Sequence, residues 1–352
     1  MRIAQIAPLA EAVPPALYGG TERVVSWLTE ELVAQGHDVT LFAAGGSKTA
    51  AKLVMGCETG LRLQGIRDHT ASNLVMLEHV RRQADQFDVI HCHIDILQYP
   101  VFRDLENKLL STLHGRLDLP DYWPIYEAYR HMPLVSISNR QREPMPAKVN
   151  WAATVYHGLP NTVCPFNATG GGYLAFLGRI SREKRPDRAI EIAIRAGIRL
   201  KIAAKVDAAD QSYFDEVIRP MLDHPLIEFI GEINESQKSA FLGGALALLF
   251  PIDWIEPFGL VMIEAMSAGT PVIAWRNGSV PEIIEEGRGG FIVDSMEMAI
   301  EAVDRAATLD RFAVRRSFER RFTVARMAAN YVAVYEDLIN KSPLRLKQMA
   351  VA

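Results

Sequence analysis

The sequence predicts an α/β fold made of two doubly wound parallel-sheet domains, and three observations predict it. Short apolar runs alternate with helix-like stretches along the chain, the pattern of strands joined by crossover helices. The strand-like runs are almost continuously apolar, as expected of parallel sheets covered on both faces. The theme stops and restarts around Gly158 to Gly172, a stretch with two prolines, two asparagines and the run Gly170 to Gly172. At 352 residues the chain exceeds one typical core, so this stretch reads as a linker between domains of similar size.

The first strand is Ile3 to Pro8, with no signal-peptide layout before it. A loop from Leu9 to Gly20 follows and ends in Gly19-Gly20. Thr21 opens a helix with Glu22 in its first turn. Val24, Val25, Leu28, Leu32 and Val33 form its apolar stripe, and Gly36 closes it. Further strands are expected at 38–43, 88–92, 109–113, 134–138 and 154–157. In the second half they are expected at 173–177, 200–204, 227–230, 245–250, 271–274 and 291–293, with charged helices beyond Ile300. The longest apolar run, Phe241 to Ile252, is too short to span a bilayer and reads as a helix end leading into a buried strand.

Composition excludes several classes. With 49% hydrophobic and 23% charged residues the chain is an ordinary globular protein. A net charge of -4 and a pI near 6.2 give no whole-protein attraction to nucleic acid or anionic lipid. Cys57, Cys92 and Cys164 are far apart and form no Cys-x-x-Cys, so neither a disulfide framework nor a zinc site is indicated; a cytoplasmic location is expected.

The most informative feature is Glu256-Pro257-Phe258-Gly259-Leu260-Val261-Met262-Ile263-Glu264. Glu256 lies in a loop and Glu264 two helical turns on, among apolar residues. A buried carboxylate is costly unless satisfied, so Glu264 needs a partner. Two carboxylates flanking a helix start suggest a ligand that offers hydroxyls to both and an anionic group to the Phe258, Gly259 and Leu260 N–H groups. A nucleotide sugar has that layout. Arg179 and Lys184 follow the first strand of the second half and suit phosphate, Arg bidentately and Lys as a point charge. Taken alone, that basic segment reads as a solvated loop.

Gly19-Gly20, between a strand and a helix, lets a backbone approach a phosphate or an acceptor, but it is not a nicotinamide fingerprint. His114 ends a strand before Gly115 and is a site candidate. His91 and His93 stand at i, i+2, yet no third and fourth ligand has useful spacing, so no metal is expected. The apolar segment Gly115 to Tyr126 fits equally beside an acceptor or under the domain.

These residues resemble the family-4 retaining glycosyltransferases, which have the GT-B fold of two Rossmann-like domains facing each other across a cleft. The strongest elements are the Glu256/Glu264 pair, Gly269-Thr270-Pro271-Val272-Ile273 and Gly178-Arg179…Glu183-Lys184; weaker ones are Gly19-Gly20 with Glu22, 88–93, His114-Gly115, 136–140 and His157-Gly158-Leu159-Pro160. The resemblance covers nearly the whole chain. It implies an acceptor-side domain over 1–160, a nucleotide-sugar domain over 170–325 and a C-terminal helix over 326–352 crossing back to the first domain. It implies that Glu264 binds the ribose, and that Glu256 with the N–H groups of Phe258 to Leu260 holds the transferred sugar. Arg179 and Lys184 would neutralise the pyrophosphate, with Gly19 and Gly20 reaching it from the first domain. Val206 and Ile233 would flank the base, and His114 would sit near the transferred sugar.

The implied reaction is metal-independent transfer of a hexosyl group with retention, by front-face displacement and without a cofactor. The expected donor is UDP-glucose, or alternatively a GDP-sugar; the acceptor is unidentified, and the near balance of acids and bases up to about residue 165, with no clearly basic amphipathic helix, points to a soluble one rather than a membrane lipid. One departure is His157-Gly158-Leu159-Pro160, where the family commonly has Asn-Gly-Ile/Val-Asp. A sugar-nucleotide epimerase, a phosphorylase or a non-catalytic sugar-nucleotide-binding protein of the same fold are the competing readings.

Overall fold

The computed structural model describes residues 1–16, 19–145 and 148–341. Leu17 and Tyr18 of the predicted 9–20 loop, and 342–352 of the predicted final helix, lie outside the described residues. The chain divides into two units, one of Met1–Gly158 with the segment from Val324, the other of Leu159–Thr323.

The first unit is a seven-stranded parallel sheet of β1 (Arg2–Ile6), β2 (Asp38–Ala44), β3 (Lys52–Cys57), β4 (Val89–Cys92), β5 (Leu109–Thr112), β6 (Pro133–Ser136) and β7 (Asn150–Thr154), in the order β3-β2-β1-β4-β5-β6-β7. The order reverses between β1 and β4, where Ile3 pairs with both Val39 and Val89. The predicted 154–157 strand is shifted: the strand is Asn150–Thr154, and Val155 and His157 are buried beyond its end.

The first helix, Gly20–Ala34, buries Val24, Val25, Leu28 and Leu32. It begins one residue before Thr21, with Gly19 at the cap position and no side-chain cap, so Thr21 is not the capping residue. The helix Val324–Asn340 belongs to this unit. It buries Met327, Tyr331 and Tyr335 at four-residue spacing and packs against Gly20–Ala34.

The second unit is a six-stranded parallel sheet of β8 (Leu174–Arg179), β9 (Leu200–Lys205), β10 (Ile227–Gly231), β11 (Ala247–Phe250), β12 (Val272–Trp275) and β13 (Gly290–Val293), in the order β10-β9-β8-β11-β12-β13. Its core joins Ile190, Ile192, Ile202, Leu249, Ile273 and Val303 from strands and helices. The order reverses between β8 and β11. In such sheets ligands bind beyond the strand C-termini at the reversal, so the loops after β8 and β11 are the ones to inspect. No described helix is long and apolar enough to cross a membrane.

Candidate functional site

The loops after β8 and β11 are tied together. The Asp253 N–H donates to the Glu183 carbonyl at 2.8 Å, and Arg185 and Arg188 reach the Asp253 carboxylate at 3.0 and 3.3 Å. Lys184 donates to Glu256 Oε2 in a short, largely buried ion pair. Its ammonium also lies 5.1 Å from the Trp254 ring centre and 5.6 Å from that of Phe250, so aromatic faces and a carboxylate fix the cation together.

Arg179, the last residue of β8, is surrounded by acids: Asp210 at 3.5 Å, Asp207 at 3.6 Å and Glu183 at 3.9 Å. Lys205, its sheet neighbour on β9, binds the same Asp207 at 2.9 Å. Val206, between them in sequence, packs partly buried against the core.

Glu256 is held by its backbone. Its carbonyl accepts from the Ser279 N–H at 2.9 Å, and the Ser279 hydroxyl donates to the Phe258 carbonyl at 2.7 Å. Gly278 has φ +50°, and a Cβ there would overlap the Glu256 backbone N and O. Gly278→Ala is therefore expected to cost at least about 2 kcal/mol of stability and to displace Glu256. The check is the urea midpoint together with turnover; an unchanged protein would mean this loop is not held against Glu256.

The helix after Glu256 is Leu260–Ser267, started by Gly259 in the left-handed region at φ +78°. That conformation suits glycine; a Cβ there would also lie within 3.0 Å of Phe250 and 2.8 Å of Met262. The helix is buried nearly all round, as its sequence predicts, and Glu264 is 4% exposed. Its partner is Lys238, 2.8 Å from Glu264 Oε1 and 3.2 Å from Glu235. Lys238 lies on the helix Glu235–Gly243, anchored by a reciprocal capping box between Asn234 and Gln237. Ile233, half-buried, directly precedes that cap. Lys238, Asp253 and Trp254 carry no local sequence signal; their importance arises only from distant partners.

In the second unit the structure thus brings together Lys184 with Glu256 and surrounds Arg179 with acids. Phe258, Gly259 and Leu260 form the adjoining helix start with Glu264 in its second turn, and Val206 and Ile233 stand just past the ends of β9 and β10. None of these residues lines the 530 Å³ recess formed by Pro281, Glu285, Arg288 and Arg320 among others, where Glu285 pairs with both arginines at 2.6 and 2.8 Å.

Gly19, Gly20 and His114 belong to the other unit. Gly19 is buried and Gly20 exposed at the start of the helix after β1. His114 is half-buried just past the end of β5, its Nε2 2.8 Å from His93 Nδ1 and its ring stacked on His157 with centres 5.2 Å apart. Desolvation lowers its pKa to about 3, so the ring is neutral near pH 7. Both nitrogens of His91 and of His93 are engaged by side chains, and among the described residues no group of three or more His, Cys, Asp or Glu is arranged to hold a metal ion. In the 115–126 segment Leu117 and Tyr126 are buried, whereas Leu119 and Tyr122 are exposed.

Residues 18–185 match Glycosyltransferase Family 4, and residues 166–320 match Glycosyl transferases group 1. The chain is 27% identical over 201 residues to the D-inositol 3-phosphate glycosyltransferase of Corynebacterium kroppenstedtii, a match spanning 51% of this chain and 43% of that one. The structure of AviGT4, a glycosyltransferase involved in Avilamycin A biosynthesis, is 25% identical with a TM-score of 0.74, covering 97% of this chain and 99% of that one. Anabaena HepE, solved in complex with UDP-glucose, shares the fold with a TM-score of 0.70 at 15% identity, covering 96% of this chain and 99% of that one. With two Rossmann-like units whose switch-point loops carry the Glu256/Glu264 and Arg179/Lys184 sets, the chain belongs to glycosyltransferase family 4 and is an enzyme of the GT-B fold.

Proposed function

We propose that the enzyme transfers a hexosyl group from a nucleoside-diphosphate sugar to a hydroxyl of a soluble acceptor, with retention of anomeric configuration and without a metal ion. The observation that carries this is the arrangement around the helix Leu260–Ser267. A lysine-paired carboxylate precedes its N-terminus, a second lysine-paired carboxylate lies in its second turn, and Arg179 stands at the neighbouring strand exit.

Glu264, oriented by Lys238, accepts hydrogen bonds from ribose hydroxyls. Glu256 and the first N–H groups of the helix orient the transferred sugar. Val206 and Ile233 flank the base, and Gly19 and Gly20 admit the phosphates from the first unit. Arg179 and Lys184 stabilise the diphosphate as charge builds on it. The bond from the anomeric carbon to the phosphate oxygen breaks, and its electron pair leaves with the diphosphate. The acceptor oxygen bonds to the same face of that carbon, and its proton passes to the departing diphosphate. His114 meets the sugar as a neutral hydrogen-bonding group.

UDP-glucose is the donor to test first, because HepE with the same fold holds it; a GDP-sugar is the second. Calorimetric titration with UDP, GDP and ADP, with and without EDTA, is expected to show one nucleotide binding tightly and indifferently to chelation. Binding abolished by EDTA would overturn metal independence. Failure of all three to bind would overturn the nucleotide-sugar reading, and sugar-nucleotide conversion without any acceptor would favour epimerisation.

A further inference from the structure

His114 ends a chain of hydrogen bonds that runs through the first unit to the helix Val324–Asn340. From His114 Nε2 the chain passes to His93 Nδ1 at 2.8 Å, and from His93 Nε2 to Gln5 Oε1 at 2.8 Å. Gln5 Nε2 donates to the Tyr335 hydroxyl at 3.1 Å, and that hydroxyl lies 2.8 Å from His91 Nδ1. His91 Nε2 lies 2.7 Å from Thr112 Oγ1, which is 3.0 Å from the Tyr331 hydroxyl. Gln5, His91, His93, Thr112, Tyr331 and Tyr335 are each 2% exposed or less, and only His114 reaches the surface.

Burial keeps His91 and His93 neutral as well as His114, and a neutral imidazole carries a single N–H. A choice of proton position made anywhere in the chain is therefore passed along it. The amide of Gln5 makes that choice, because a carbonyl oxygen can only accept. With Oε1 facing His93, the His93 proton sits on Nε2 and its Nδ1 is a lone pair. His114 must then donate from Nε2, which leaves its own Nδ1 without a proton. Tyr335 holds the amide in this orientation by accepting from Gln5 Nε2 while donating to His91.

The geometry points to Gln5, His93 and Tyr335 as positioning residues that fix the tautomer of His114, so that it offers a bare Nδ1 to a substrate hydroxyl as a hydrogen-bond acceptor. This rests on the transfer reading above, which puts His114 at the sugar. It gives the returning helix a part in specificity: Tyr335, far along the sequence, sets which hydrogen-bonding face the β5 exit presents.

The test is nitrogen NMR of the full chain with labelled histidines, alongside kinetics. Wild type is expected to show His93 and His114 protonated at Nε2 at neutral pH. Gln5→Glu places a carboxylate against His93 and favours its imidazolium. His93 then donates from Nδ1, and His114 must accept at Nε2 and carry its proton on Nδ1. The expected result is that exchange of tautomer, with kcat lowered roughly tenfold to a hundredfold and UDP affinity unchanged. Tyr335→Phe, a milder change, should release the Gln5 amide and give a mixture of tautomers with a smaller loss of kcat. A wild-type His114 protonated at Nδ1, or a tautomer unmoved in both variants, would overturn the proposal. Correct tautomers in a protein that turns over no donor would uphold the relay and count against the transfer reading instead.

Discussion

Lys184→Ala is expected to lower turnover by roughly two to three orders of magnitude, the loss seen when one fixed charge is withdrawn from a developing oxyanion. The same substitution is expected to cost about 3 kcal/mol of stability, because it leaves the Glu256 carboxylate, whose side chain is 10% exposed, without its cation. The two effects separate in a double variant. Adding Glu256→Gln to Lys184→Ala removes the orphaned charge, so the urea midpoint should largely recover while turnover stays low. Arg179→Ala should lose comparable turnover with less effect on stability. Its partners Glu183, Asp207 and Asp210 are 36%, 33% and 20% exposed, so water screens the charges it leaves behind. Turnover at the wild-type rate in both single variants would remove Arg179 and Lys184 from the pyrophosphate role.

That pairing also bears on how the donor enters. Both cations are already engaged by carboxylates, so the site is preorganised rather than bare. On the proposed reading, a diphosphate would share Lys184 with Glu256 and Arg179 with three acids. The carboxylates thus set where the cations stand, and the start of the helix Leu260–Ser267 adds its dipole without needing a counter-charge.

Most strands were legible because burial on both faces leaves continuous apolar runs, and all six strands of the second sheet were found to within a few residues. β3 was not. It is an edge strand whose six residues are exposed or half-exposed, and its apolar run Leu53-Val54-Met55 is only three residues long before Gly56 interrupts it. The first helix was expected to start at Thr21, yet its start is set by Gly19 and the tight packing around it. Glu256 and Glu264 could be read because their spacing along one loop and helix is local. Lys238 could not, because its meeting with Glu264 depends on how separate crossover helices pack. The histidine chain was equally hidden: its members come from β1, β4, β5 and the final helix, and only the sheet order and the returning helix bring them together.

The same buried histidines predict a steep loss of stability in mild acid. Burial holds His91, His93, His114 and His157 well below the ordinary histidine value of 6.5 in the folded chain, whereas unfolding returns them to it. Below that value the unfolded chain binds protons that the folded chain refuses. Their contribution is complete above pH 6.5 and falls as the pH drops. Each ring contributes a slope of about 1.4 kcal/mol per pH unit, so the four together remove on the order of 5 kcal/mol per unit, a large part of a typical total stability. Carboxylates held low by arginine, such as Asp104 at about 2, act only in stronger acid. Buried Glu22, pushed up by desolvation, works in the opposite sense, stabilising as the pH falls toward its raised value. Urea unfolding between pH 7 and 5 should therefore report the histidines almost alone, and His157→Phe should reduce the slope by about a quarter. A flat profile over that range would mean that the rings gain protons without unfolding, so the neutral chain from His114 to Tyr335 would no longer hold there.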